Sequence, residues 1–192
     1  RQLHLQQQRA EILTQRICEA LAVNDFDTLT SSLQSVDDIL LYIYHGQRLV
    51  YWTDSWLSSS YLPMQDVYDQ WQYAQWNNAQ GVCKRTRVGD MHVLTVIPIK
   101  YAYRVTSENL NNTFIQPFKG DKSWGLTRRQ GKSEDFYPIT SLNGEYLFSL
   151  HKNPQSVAKQ EDIRIDNFSY QAILASEKHE EDSSRSKLFI YY

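Results

Sequence analysis

The most constraining stretch of this chain is a long alternating pair of segments around Gly89-Asp90. Val82 to Val88 reads as one strand, Gly89-Asp90 as a tight turn, and Met91 to Tyr103 as a long returning strand. On the returning strand Met91, Val93, Thr95, Ile97, Ile99 and Tyr101 fall on one side; His92, Leu94, Val96 and Lys100 fall on the other. Both sides are apolar near mid-length. Such a strand belongs in the middle of a sheet that is covered, at least partly, on both faces. Pro98 has no N–H to give a ladder, which predicts a bulge or an unpaired position there.

The other segments build around that pair. Residues 1–23 predict a helix: Leu3, Ala10 and Ile17 recur every seven residues, and Leu13, Ala20 and Leu21 widen the stripe. Asn24 and Asp25 end it, and Asp27 is the expected cap of a short helix over 28–35. Residues 38–54 predict a hairpin that turns at His45-Gly46-Gln47-Arg48. Pro63 opens a predicted helix over 64–78, with Met64, Val67, Tyr68 and Trp71 as its buried stripe. Residues 105–116 predict a short helix or turn with Ser107 as a cap, and 119–135 a polar, basic loop. Asn143-Gly144 signals a type I′ turn before Glu145–Leu150. Ile163–Leu174 reads as a strand or short helix, and 177–187 as a stretch of mixed charge. The expected fold class is α+β: a central antiparallel sheet with a long N-terminal helix and flanking helices.

Composition bounds the chemistry. The 192 residues are 41% hydrophobic and 22% charged, enough for a core in one domain. The net charge of −2 gives no electrostatic footprint for nucleic acid. Lys119, Lys122, Arg128, Arg129 and Lys132, with Trp124 among them, read as a surface loop rather than a nucleic-acid contact. No apolar run approaches the roughly 18 residues of a membrane span. Gly131-Lys132-Ser133 lacks the P-loop's earlier glycine, because Leu126 stands in its place. The five histidines are scattered and make no zinc motif. Cys83 reads as a half-buried strand residue and Cys18 as a stripe-edge residue; a bridge between them is left open. No cofactor motif is present, and the expectation is a non-catalytic chain.

Aromatic and cationic residues supply the candidate site. Trp52 ends one strand, while Trp71 and Trp76 lie on the predicted helix 64–78. Arg85 and Arg87 alternate on one face of a strand, and Lys100, Tyr101 and Tyr103 end the next. If the helix covers the sheet, these eight converge on a pocket suited to a small anion or a sugar. Rings would stack, and Arg would grip a carboxylate or phosphate with two bonds. The plainer reading is core aromatics with edge charges.

The two ends carry an expectation of their own. Arg1 opens the chain without Met, and Leu188-Phe189-Ile190-Tyr191-Tyr192 closes it with an apolar run. This fits a piece cut just before a membrane segment; the alternative is a terminal strand paired into a sheet.

Several segments together carry a family likeness. They are Asp38–Tyr44 with Leu49–Thr53, Gly81-Val82-Cys83 with Ile97–Tyr103, Asn109–Phe114, and Asn143–Leu150. From the opening helix to about residue 151 the chain resembles the extracytoplasmic sensor domains of bacterial membrane histidine kinases, of the PAS-like or Cache type. The family's helix-borne Arg ligand motif has no counterpart in residues 64–78. The resemblance implies an N-terminal signalling helix and short second helix in 1–36, a PAS-like sensor core in 37–151, and a segment leading back to the membrane in 152–192. It implies a periplasmic location, membrane attachment through flanking segments, and a small-molecule or protein signal. It implies a homodimer formed through the N-terminal helix, unless that helix's stripe packs on its own sheet. It implies a function in which signal binding becomes a conformational change across the membrane. A periplasmic solute- or carbohydrate-binding or protein-interaction domain without kinase coupling is the alternative.

Overall fold

The computed structural model describes residues 1–33, 38–57, 67–107, 110–130 and 136–152. Helix α1 spans Gln2–Ala22 and α2 spans Phe26–Leu33. Strands follow as β1 Leu40–His45, β2 Arg48–Trp52, β3 Gln72–Gln75, β4 Ala79–Val88 and β5 Met91–Tyr101. Then come β6 Trp124–Thr127, β7 Phe136–Thr140 and β8 Tyr146–Lys152. The chain is α+β with two antiparallel sheets, one of five strands ordered β2-β1-β5-β4-β3 and one of three ordered β6-β8-β7. The long hairpin β4–β5 is central, as its two apolar faces require.

One backbone corner joins the helices. The Asn24 amide donates to the Leu21 carbonyl and the Asp25 amide to the Ala20 carbonyl, with Asn24 at φ 55°. This is a Schellman closure, which needs a left-handed residue and finds Asn there. The Asp25 carboxylate then accepts from the Thr28 amide at 3.0 Å and opens α2. The cap is therefore Asp25 rather than Asp27, which lies inside the first turn.

Helix α1 lies on one face of the large sheet. Leu3, Ala10, Leu13, Ile17 and Ala20 pack against Leu41, Ile43, Val82, Val93, Ile97 and Ile99. The same cluster takes in Leu126, Leu147 and Phe148 of the small sheet, and His4 donates to the Thr140 carbonyl at 2.9 Å. The Leu3–Ala10–Ile17 stripe is thus spent within the chain. The opposite face holds Leu40, Tyr42, Tyr44, Ala74, Trp76, Cys83, Leu94 and Val96, with Leu57 packed on it. The segment after β2 turns onto that face: Tyr42 Oη donates to the Asp54 carbonyl at 3.3 Å.

Several expectations are corrected. The described part of the predicted helix 64–78 contains no helix; Gln72–Gln75 is edge strand β3, paired with β4 from Gln72↔Cys83 to Gln75↔Gln80. Trp71 and Tyr73, two residues apart, both join the cluster on the α1 face, as a strand's period requires. The unfilled ladder of β4 outweighs the helical spacing of Tyr68 and Trp71. Asp69 at φ 59° is a further break, and Val67 is exposed. Met64 lies outside the described residues. Of the short helix or turn expected over 105–116, the described residues hold the turn, which Ser107 closes by accepting from the Leu110 amide at 3.1 Å. The basic loop contains β6, held by β8 along Trp124↔Lys152 to Thr127↔Ser149. The flanking helices of the expected fold reduce, among the described residues, to α2.

The turn before β8 is not type I′, since only Gly144 has positive φ, at 80°. Gly144 N donates to the Ser141 carbonyl and the Ser141 hydroxyl accepts from the Asn143 and Glu145 amides. That is a wider turn closed by a left-handed glycine. The bulge predicted at Pro98 is present: Gly81 pairs with Pro98 and Gln80 with Lys100, leaving Ile99 without a partner on β4. It breaks the face alternation. Tyr101 meets Trp56, which packs with the opposite face, and Lys100 reaches the carbonyls of Lys122 (3.3 Å) and Trp124 at the small sheet. Ile163–Leu174, 177–187 and the closing run 188–192 lie outside the described residues.

Candidate functional site

The register of β1, β5 and β4 lays the opposite face out in rows. Leu40, Val96 and Cys83 form one row; Tyr42, Leu94 and Arg85 the next; Tyr44, His92 and Arg87 the third. The face therefore grades from apolar to cationic along the strands. The third row sits two residues from the turns at Gly46 and Gly89-Asp90, where His45 and Asp90 meet at 2.6 Å.

At the cationic end the groups touch. The Tyr44 and His92 rings stack with centroids 4.9 Å apart and planes 7° from parallel. Tyr68 lies against both guanidiniums, its ring centroid 4.4 Å from Arg87 Cζ and 5.6 Å from Arg85 Cζ. Arg87 Nη2 donates to Tyr68 Oη at 3.0 Å. Tyr68 is delivered by the β2–β3 connection, which rejoins the sheet where the Asp69 amide donates to the Arg85 carbonyl at 2.7 Å. Tyr44 Oη and His92 Nε2 are buried with no hydrogen-bond partner among the described residues. Burial, then the charges of Arg85 and Arg87, hold the His92 imidazole below its usual range, so it is neutral at pH 7. The Arg87 hydrogen bond pulls the Tyr68 phenol below its usual range, with both guanidinium charges adding to it. Burial pushes Tyr44 up to about 12, against the pull of Arg85.

The structure does not gather the eight candidate residues at one place. Arg85 and Arg87 are together. Trp76 is on the same face but beside Ala79, whose carbonyl accepts from its amide, about 20 Å along β4 from Arg85. Tyr101 stacks on Tyr103 at 5.5 Å and meets Trp56 at 5.7 Å, also away from Arg85. Trp71 is on the α1 face, where its indole N–H donates to Glu11 Oε1 at 3.0 Å. Lys100 ties β5 to the small sheet and lies over the Phe114 ring at 5.3 Å. Trp52 is exposed at the end of edge strand β2. Tyr44, Tyr68 and His92 complete the cationic end. His92 faces Arg87 across the β4–β5 hairpin, while Tyr44 and Tyr68 arrive by the pairing of β1 with β5 and by a long connection, neither of which local sequence encodes.

A second feature lies between β3 and the small sheet. Arg128 Nη2 donates to the Tyr73 carbonyl at 3.0 Å and so blunts the free edge of β3. Clefts of about 410 and 520 Å³ open on either side of that contact. The bridge fixes Arg128 of the basic loop in a structural role.

Cys18 and Cys83 are free thiols on opposite faces of the sheet, so no bridge joins them. Burial pushes Cys18 up to about 11 and Cys83 to about 12, which makes both poor nucleophiles. Among the described residues no group of three or more His, Cys, Asp or Glu is placed to hold a metal ion. No helix among them is long and apolar enough to cross a membrane. Comparison with protein-family models, with curated proteins and with solved structures finds no match.

Proposed function

We propose that this chain is the extracytoplasmic, non-catalytic sensing domain of a membrane histidine kinase, with a PAS-like core. It binds a signal on the face opposite α1 and passes occupancy to that helix. The observation that carries the reading is the placement of two neighbours on β4. Arg85 belongs to the cationic end of one face. Lys84 reaches the other, where its Nζ donates to Glu11 Oε1 of α1 at 3.3 Å.

Glu11 also accepts from Trp71, next to the start of β3. One carboxylate on α1 thus holds two positions of the sheet edge. A ligand that draws Arg85 shifts β4 and with it Lys84, so the two faces share one backbone. Function is then a coupling free energy: the ligand favours the arrangement of α1 that suits its own site. The periplasm is the expected location, with the membrane reached through flanking segments. The expected downstream event is autophosphorylation of a kinase core in the parent protein.

The test uses the parent protein in membrane vesicles. Histidine autophosphorylation is expected to change with ligand, and Glu11→Gln and Lys84→Met are expected to shift its basal level and blunt the response. A parent gene that encodes no kinase core, or variants with unaltered basal level and response, overturns the reading.

A further inference from the structure

We infer that the Arg85–Arg87 end of this face takes a small organic oxyanion, a carboxylate or a phosphate monoester, and that the Tyr68 phenol is the group it displaces. The inference deepens the sensing reading and rests on it for its consequence.

Arg85 and Arg87 are two residues apart on one strand face, about 7 Å along the backbone, a span that two guanidinium forks cover around one small anion. Tyr68 now lies against both. Among the described residues Arg87 makes no ion pair, and its hydrogen bond goes to the Tyr68 hydroxyl. A phenol is a neutral acceptor with one oxygen. The guanidinium is already charged in that bond; a carboxylate or phosphate adds two or three charged oxygens and the bidentate fit to the fork that a phenol lacks. The exchange of phenol for anion therefore runs downhill at this position.

The floor of the site suits the same ligand. Tyr44 Oη and His92 Nε2, both buried, are left without partners among the described residues, in the row that contains Arg87. A buried polar atom without a partner is costly, and an oxyanion supplies an acceptor to the Tyr44 hydroxyl and to an Nε2–H tautomer of His92. The field is positive there: the Arg85 charge acts on Tyr44, and the charges of Arg85 and Arg87 both act on Tyr68 and His92. A cationic ligand is repelled by it and a neutral sugar gains nothing from it.

Displacement of Tyr68 also supplies the signal. Its neighbour Asp69 is bonded to the Arg85 carbonyl, so release of the ring loosens the β2–β3 connection where it joins β4. The next residue back on β4 is Lys84, which holds α1 through Glu11.

The experiment titrates the chain with succinate, phenyl phosphate and, as neutral counterparts, succinamide and glucose, followed by calorimetry and by the NMR signals of the Tyr68 ring. One or both oxyanions are expected to bind and to shift the Tyr68 signals, and the tighter one identifies the headgroup. Arg87→Gln is expected to weaken binding by about tenfold or more, the loss of one charge-assisted bond. Arg87→Lys, which keeps the charge and loses the fork, should fall between. Tyr68→Ala is expected to tighten binding, because nothing then competes. Absence of oxyanion binding, or equal binding by Arg87→Gln, overturns the inference. If a neutral probe binds instead, sensing stands and the oxyanion class falls. If an oxyanion binds as described while autophosphorylation of the parent kinase ignores it, the site stands and the sensing reading falls.

Discussion

Thr14 of α1 and Thr95 of β5 meet hydroxyl to hydroxyl at 2.6 Å, and Thr95 is fully buried beneath the helix. The contact is a buried polar peg among the apolar side chains that α1 packs on the sheet. It fixes the axial position of α1 on the sheet, which apolar packing alone leaves free to slide by small amounts.

The pair predicts a non-additive double-mutant cycle. Thr14→Val leaves the Thr95 hydroxyl buried without a partner, and Thr95→Val does the same to Thr14. Each single change is expected to cost about 1–3 kcal/mol. The double valine variant removes both polar groups, keeps the shape, and is expected to recover most of that loss. Urea unfolding of the four proteins measures it. Additive losses would show that the two hydroxyls do not depend on each other.

Gln7 predicts a gain. It is fully buried on α1, and both its amide nitrogen and its amide oxygen lack a hydrogen-bond partner among the described residues. The buried cluster on its helix is apolar. The desolvation cost of the amide is uncompensated, so Gln7→Met, of similar length, is expected to raise stability by about 1 kcal/mol. The thermal midpoint checks it. A lower midpoint for Gln7→Met would mean the amide is satisfied in solution.

What the sequence made legible follows from how local each interaction is. Helix α1 was readable because Leu3, Ala10 and Ile17 repeat on a helical period and all three are buried in one cluster. The hairpins β1–β2 and β4–β5 were readable because Gly46 and Gly89 mark turns that need positive φ, 59° at both. The Pro98 bulge was readable from one missing N–H. Strand β3 was not, because Gln72–Gln75 has no strand pattern strong enough to outweigh Trp71 and Tyr68 at helical spacing; it is a strand because β4 has an edge to fill. Strand β6 was hidden for the same reason, as only β8, more than twenty residues on, pairs with it. In the site, Arg85 and Arg87 were visible from alternation on one strand. His92 faces Arg87 across the same readable hairpin, whereas Tyr44 and Tyr68 were hidden, since strand β1 and the β2–β3 connection bring them in.

His92 predicts how stability responds to mild acid. Its pKa is lowered in the folded chain from the usual 6.5, chiefly by burial and then by Arg85 and Arg87. The unfolded chain thus binds a proton that the folded chain refuses. Stability is flat above about 6.5, declines as pH falls from there towards the depressed native value, and levels off below it. Carboxylates act in a lower window: Asp25, Asp90 and Asp121 are lowered from 3.8, each chiefly by a side-chain hydrogen bond, and their contribution is lost as pH falls below that value. His92→Gln is expected to remove the upper decline and leave the lower one. Denaturant midpoints from pH 8 to pH 2 for the two proteins measure it, and parallel curves would assign the upper decline to another group.

Gly81 predicts the largest loss from the smallest change. It stands opposite Pro98 at the bulge, and a Cβ built on it would lie 2.3 Å from the Ile97 carbonyl oxygen and 2.9 Å from Pro98 Cα. Both are backbone atoms of the central strand, so no side-chain rotation relieves the contact. Relief requires β4 and β5 to part, and overpacking of this kind costs about 1–3 kcal/mol. Gly89 is the control, with φ 59° and open space around its would-be Cβ. Gly89→Asn is expected to be tolerated, because Asn visits left-handed backbone readily. Gly81→Ala should therefore unfold at clearly lower urea than Gly89→Asn. The same variant should also weaken any ligand held by Arg85, four residues along the displaced strand. Equal midpoints for the two variants would mean that β4 and β5 are not in contact at the bulge.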